Sequence, residues 1–183
     1  MIFIYTVCAL LSIVRADVLS DYVAKPDENY DWFEYTNLTF TTNWGNTGRV
    51  LNVTTLKWMD ETRAAGPRGA IWDHEVIVII PKNLKFKNIS TALLLGSCNT
   101  PSAKDLDIRD SDIMEVDEIA HLTQSIAIGV RQLPNCPYVF PSDPDQKPRR
   151  EDAVLAWAWR DFIDDPEHRS DWMPRLPMVK SAY

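Results

Sequence analysis

Residues 72–95 read WDHEVIVIIPKNLKFKNISTALLL. Two apolar runs, residues 76–80 and 91–95, flank a polar connection. The first run is β-branched throughout and holds no turn residue, and such side chains pack well on a pleated surface. Near-continuous apolar character predicts strands covered on both faces, as in the middle of an α/β sheet; buried helix is the competing reading for runs this short. The connection over residues 81–90 is short, which predicts a hairpin or a neighbouring antiparallel pair. Two helix-like segments and one more strand-like segment follow, so the expected fold class is α/β with flanking helices.

Upstream, residues 38–42 and 50–59 read as strands, with Gly45 and Gly48 between them as a turn would have. In the second, Leu51, Val53 and Thr55 alternate, then Leu56 and Trp58 follow out of phase. Residues 64–69, AAGPRG, form a loop. Residues 17–32 are a polar arm with aromatics that could pin it to the domain. His74, leading into a strand, is read as a hydrogen-bonded structural residue in preference to a catalytic one.

Downstream, Gly96, Ser97, Cys98 and Asn99 lie just past the second apolar run. Ligands of α/β sheets bind outside the carboxyl ends of strands, and backbone N–H groups at Gly96 and Ser97 could hold an oxyanion. The alternative is a plain turn fixed by a disulfide. Asp112 and Glu115 have capping-box spacing. Ile113, Val116, Ile119, Ala120, Ile126 and Ala127 recur at helical spacing, with Gly129 ending the helix. Glu115, Asp117 and Glu118 read as a solvated face, and His121 as surface or packing. Residues 138–140 read as a strand after Pro134 and Pro137. Residues 151–163, EDAVLAWAWRDFI, form the clearest helix; its apolar width predicts deep packing against a sheet, with Trp157 and Trp159 in the core. Pro174 or Pro177 suits the first turn of a last helix.

The 183 residues include 19 basic and 26 acidic ones, a net charge of -7, with no basic stretch to track a phosphate backbone. Nucleic acid is not an expected partner. Residues 1–16 read as a secretory signal peptide: residues 2–14 are apolar and Ala16 precedes the expected cleavage point. A membrane anchor or a buried strand are the competing readings, but the run falls short of the roughly 20 residues a span needs. The mature domain is then residues 17–183, secreted and without stable membrane insertion, and its expected partner is a cell-surface or other extracellular protein. Cleavage removes Cys8 and leaves Cys98 and Cys136, either as a disulfide closing a loop of roughly 40 residues or as two buried thiols. No metal-ligand spacing and no cofactor motif occurs. Asn37-Leu38-Thr39, Asn52-Val53-Thr54 and Asn88-Ile89-Ser90 are N-glycosylation sequons.

Six sets of residues in combination resemble the PhoPQ-activated pathogenicity-related protein family, in its amino-terminal portion. They are Leu56-Lys57-Trp58; Trp72-Asp73-His74 with Pro81; Ala92 through Gly96 with Asn99; Leu133-Pro134-Asn135 with Pro137; Glu151-Asp152-Ala153 with Ala156 and Trp159; and Trp172 with Arg175 through Met178 and Lys180 through Ala182. The resemblance implies an α/β-hydrolase-like sheet. A strand, a nucleophile elbow, an acid and a His would then follow the helix that carries Ser181. No G-x-S-x-G occurs in this chain, so neither Ser97 nor Ser181 receives a catalytic role. The resemblance makes Gly96 to Asn99 a loop that helps form an oxyanion hole, although Ser97-Cys98 stand where the family favours glycine. It further implies extracellular signalling or host–microbe interaction, in a fragment or truncated product with an incomplete sheet. The enzymatic alternative is a piece of a serine-type ester or amide hydrolase.

Overall fold

The computed structural model describes residues 18–99 and 107–183; residues 1–16, the expected signal peptide, and Cys8 with them lie outside the described residues. The elements are α1 (Val18–Ala24), β1 (Asp31–Glu34), β2 (Phe40–Thr41), β3 (Thr47–Lys57), β4 (Ile71–Ile80), β5 (Phe86–Leu94), α2 (Ser111–Thr123), β6 (Ser125–Val130), α3 (Asp152–Asp164) and α4 (Arg175–Ala182). They build a mixed α/β fold around a six-stranded sheet of order β1-β3-β4-β6-β5, with β2 also paired to β3.

The expected β3 and β4 form as long antiparallel partners, in register from Thr47 opposite Ile80 to Lys57 opposite Ile71. The phase change after Thr55 is real: the register shifts between Thr54 and Leu56, the signature of a β-bulge. The expected hairpin between β4 and β5 does not form. β6 lies between them, antiparallel to β4 and parallel to β5. The polar connection after Pro81 therefore carries the chain past one strand position, and α2 brings it back into the gap.

The expectation of two covered faces holds for neither strand in full. In β4, Ile77 and Ile79 are buried with Ala127 of β6 under Ile113, Val116 and Ala120 of α2. Alternation sends Val76, Val78 and Ile80 to the opposite face, where they are half-buried. β5 is the sheet edge and is almost wholly exposed. Gly129 sits where the helix crosses the sheet: a Cβ there would stand 2.8 Å from Val116 Cγ2.

α2 is shorter than its periodicity predicts. It stops at Thr123, Gln124 takes a left-handed conformation (φ 53°) and bonds back to Ala120, and Ile126 and Ala127 belong to β6. The N-cap is Asp110, whose side chain accepts from the Asp112 N–H, rather than Asp112 itself. Asp117 is not solvated. It is buried, and Asn46 Nδ2 donates to it at 2.7 Å.

The second core is aromatic. Trp58 and Trp72 from the sheet meet Tyr138 and Phe140 from the proline-rich segment, and Trp157 and Trp172 close over them. Residues 138–140 are not a regular strand; they make isolated bridges, Tyr138 to Arg149 and Val139 to Ala65. α3 forms as expected but packs through Val154, Trp157 and Ala158 into this aromatic cluster, while Trp159 is only half-buried. Trp157 is held between the Arg149 and Arg160 guanidiniums, 4.0 and 4.3 Å from the ring centroid. Pro174 caps α4 and Pro177 lies in its first turn.

Candidate functional site

The loop after β5 is held from three sides. Gln132 N–H donates to Gly96 O at 2.9 Å, and Leu133 N–H donates to Leu95 O at 3.2 Å. Cys98 and Cys136 form the disulfide, with Cα atoms 4.6 Å apart. Beside it, Asn99 N–H donates to Cys136 O and Cys136 N–H to the Asn99 side chain. The Asn99 and Asn135 amides both donate to the Asp73 carbonyl, at 3.0 and 2.8 Å, and Asn135 Oδ1 accepts the Asp73 N–H. The strand-end loop and the 133–137 segment are thereby pinned to the start of β4.

Gly96 and Ser97, the candidate oxyanion residues, stand at the top of this assembly. Ser97 is in the left-handed region at φ 70°, and its Oγ is buried without a partner among the described residues. Its backbone N–H donates at 3.0 Å to Oε1 of Glu151, the residue that precedes α3. Glu151, Asn99 and Asn135 carry this loop, and none of the three stands out by spacing: Ser97 and Glu151 are 54 positions apart.

His74 is fully buried on β4. Nδ1 lies 2.9 Å from the Arg131 carbonyl, so Nδ1 carries the proton and Nε2 is the acceptor for Thr55 Oγ1 at 3.1 Å. Thr55 Oγ1 in turn lies 2.8 Å from Ser181 Oγ on α4. Burial lowers the His74 pKa against the opposing pull of the Arg131 carbonyl and Asp73. The chain of hydroxyls ties α4 to the sheet around a neutral imidazole. It borders a groove of about 620 Å³ whose apolar wall is Val53, Val76, Ile128 and Val130, with Lys180 and Asp27 among its charged groups. Lys180 also bonds the Lys25 carbonyl and sits over the Tyr22 ring; burial pushes the Tyr22 hydroxyl pKa up to about 12. This is how the amino-terminal arm is pinned.

The three sequons fall in different settings. Asn37 is exposed in a single 3₁₀ turn, and Asn88 is exposed on the β5 edge. Asn52 is half-buried in β3, between β1 and β4, with its amide 3.3 Å from Asp73 Oδ2. No group of three His, Cys, Asp or Glu among the described residues is placed to hold a metal ion. No helix among them is long and apolar enough to cross a membrane.

A family model described as PhoPQ-activated pathogenicity-related protein matches residues 19–183. The chain belongs to that family. The match starts upstream of the residues that carried the resemblance and takes in α1. A curated relative, autocrine proliferation repressor protein A of Dictyostelium discoideum, is 28% identical over 174 residues, which is 95% of this chain and 32% of that protein. The chain thus spans about a third of the length of the curated relative it matches. No solved structure matches.

Proposed function

We propose that this member of the PhoPQ-activated pathogenicity-related family is the amino-terminal portion of a secreted, glycosylated α/β-hydrolase-like protein, acting outside the cell as a signal rather than through a complete catalytic site. The observation that carries the reading is how its three histidines are used. His74 is spent on Thr55 and a backbone carbonyl, His121 stacks on Trp44 with centroids 4.1 Å apart, and His168 pairs with Asp165. A serine hydrolase links a serine hydroxyl, a histidine and a carboxylate in one hydrogen-bonded chain, and none of these three arrangements does so: His74 meets hydroxyls but no carboxylate, and His168 meets a carboxylate but no hydroxyl among the described residues. The leader and the sequons support secretion, with Asn37 and Asn88 the accessible glycan acceptors. The relative's name, an autocrine repressor of proliferation, supports signalling.

Expression in a eukaryotic secretory host tests it. The medium should contain a chain beginning at Asp17, losing mass on endoglycosidase treatment, and unreactive toward a fluorophosphonate serine probe. Retention of an uncleaved chain in the cells would remove the secreted reading.

One observation favours the second reading, part of a serine-type ester or amide hydrolase. The run β3-β4-β6-β5 starts antiparallel and turns parallel at β5, and among the described residues β5 presents an open edge where the strand that the hydrolase resemblance expects after α4 could pair. Since neither Ser97 nor Ser181 has a catalytic role, the test of that reading is a longer product that continues past Tyr183: fluorophosphonate labelling of a serine there would support it against the first, and no labelling would count against it.

A further inference from the structure

Two residues in rare backbone conformations meet at the carboxyl end of β5. Ser97 (φ 70°) directs its N–H at the Glu151 carboxylate, and Glu151 is itself left-handed (φ 43°). Neither is glycine, so each costs conformational energy that its surroundings must offset. Glu151 has no side-chain capping bond to α3, the ordinary reason for a polar residue at that position. Its carboxylate turns instead to the loop, and Oε1 also lies 3.6 Å from where a Cβ on Gly96 would stand. The buried Ser97 Oγ, unpartnered among the described residues, is a second polar atom at the same place. The loop beneath is rigid, fastened by the disulfide and by the Asn99 and Asn135 bonds to Asp73.

We propose that the Ser97 N–H is a carboxylate-binding donor that this chain keeps occupied with its own Glu151, so that Glu151 is a built-in ligand which an external carboxylate must displace. The proposal deepens the reading of Gly96 and Ser97 as an anion-holding loop and rests on it. The geometry supplies what such a latch needs. The donor sits on a fixed scaffold. The occupying carboxylate is on an exposed side chain that swings away without disturbing a core. The bond is charge-assisted and of ordinary length. An internal ligand that fills the donor nine-tenths of the time weakens an external one about tenfold, because only the vacant fraction binds.

Acetate is the probe, titrated at constant ionic strength against chloride, with the Ser97 amide followed by ¹H–¹⁵N NMR in the wild-type chain, Glu151→Gln and Glu151→Ala. The dispersion of the ¹H–¹⁵N spectrum reports folding of each variant, and mass reports that the Cys98–Cys136 bridge is closed. The expected result is a saturable Ser97 shift whose apparent Kd falls about tenfold from wild type to Glu151→Ala. Glu151→Gln, which keeps an acceptor but no charge, should fall between, and it carries the test if the alanine variant does not fold. Saturable binding with the same Kd in all three chains overturns the latch while leaving the anion-holding loop intact. No saturable acetate shift in any chain overturns the loop reading itself, and the latch with it.

Discussion

The two ends of this molecule spend apolar side chains in opposite ways. At one end Trp58, Trp72, Tyr138, Phe140, Trp157 and Trp172 interlock, edge-on, stacked or tilted, with Trp58 and Trp72 at 1% and 0% exposure. At the other, β5 leaves Phe86, Ile89 and Leu94 at 42%, 58% and 56%. Composition does not separate the two regions; the number of layers does. Around the aromatic cluster the chain returns three times, with the 133–140 segment, α3 and the turn at Trp172, whereas among the described elements β5 packs chiefly with β6 and, less, α2. Apolar surface contributes to stability in proportion to the area removed from water. The fold is therefore held at its aromatic end, and β5 keeps most of its apolar surface exposed among the described residues.

The comparison breaks most directly at Trp58. Trp58→Ala removes the ring on which Trp72, Tyr138 and Phe140 converge and strands the Asp171 carbonyl that accepts its Nε1–H. A loss of about 3–5 kcal/mol is expected in urea unfolding of residues 17–183, close to the whole stability of many domains. A loss below about 1 kcal/mol would mean that the cluster is not the anchor.

The disulfide comes next, since it joins β5's outgoing loop to the segment that feeds the aromatic core. Reducing Cys98–Cys136, or replacing both with Ser, should cost about 2–4 kcal/mol. Comparing unfolding with and without reductant gives the number. Arg131, just past β6, joins β4 to the start of α2 by charge. It meets Glu75 at 2.9 Å and Asp110 and Asp112 at 3.2 Å, while only 15% exposed. Burial raises the Glu75 pKa and Arg131 opposes the rise. Arg131→Met leaves these carboxylates without their cation and should cost about 2–3 kcal/mol, with protection lost first at the start of α2 in hydrogen exchange.

How much of this was legible in the sequence follows from how far each partner lies along the chain. β3 and β4 could be read from alternation and β-branching, and the out-of-phase step at Leu56 marks the place where the structure has its bulge. The disulfide was one of two open readings. The cover on β5 could not be read, because a strand's own residues do not say whether a helix returns to them. The end of α2 was misplaced because Ile126 and Ala127 satisfy both periods, and a left-handed Gln124 gives no glycine signal. Asp117 read as solvent-facing because its partner Asn46 is 71 positions away. In the candidate site, Gly96, Ser97, Cys98 and Asn99 were visible through their place after an apolar run, and Cys136 as the cysteine left to pair with Cys98. Asn135 and Glu151 matched the family's pattern, but the bonds of Asn99 and Asn135 to Asp73 and of Glu151 to Ser97 could not be read, since only the folded chain makes them.

His74 offers a smaller, pH-dependent test. Its folded pKa lies below the ordinary value of about 6.5, chiefly through burial. The unfolded chain therefore takes up a proton before the native one does. Stability is full above about pH 6.5 and falls as pH drops from there toward the depressed native value. Urea unfolding at pH 7.5 and 5.5 should show that fall in the wild-type chain, and His74→Gln should show a shallower one. Equal slopes would place the His74 pKa at its unfolded value and remove the neutral tie to Thr55 and Ser181.

The smallest expected effect on stability lies on the open edge. Ile89 is exposed on β5, at the irregularity between Phe86 and Ser90 where pairing with β6 lapses. Ile89→Lys removes no buried contact, so unfolding should change by no more than about 0.5 kcal/mol. Its effect should appear in association instead. An exposed apolar edge is a template for another strand, and a lysine there opposes that pairing by charge and by the cost of desolvating an ammonium. Light scattering of the two chains at equal concentration measures it, with the variant staying monomeric to higher concentration. A stability loss as large as that of Trp58→Ala would mean that β5 is covered in solution. The contrast between a closed aromatic end and an open strand edge would then fail at the place where it predicts the least.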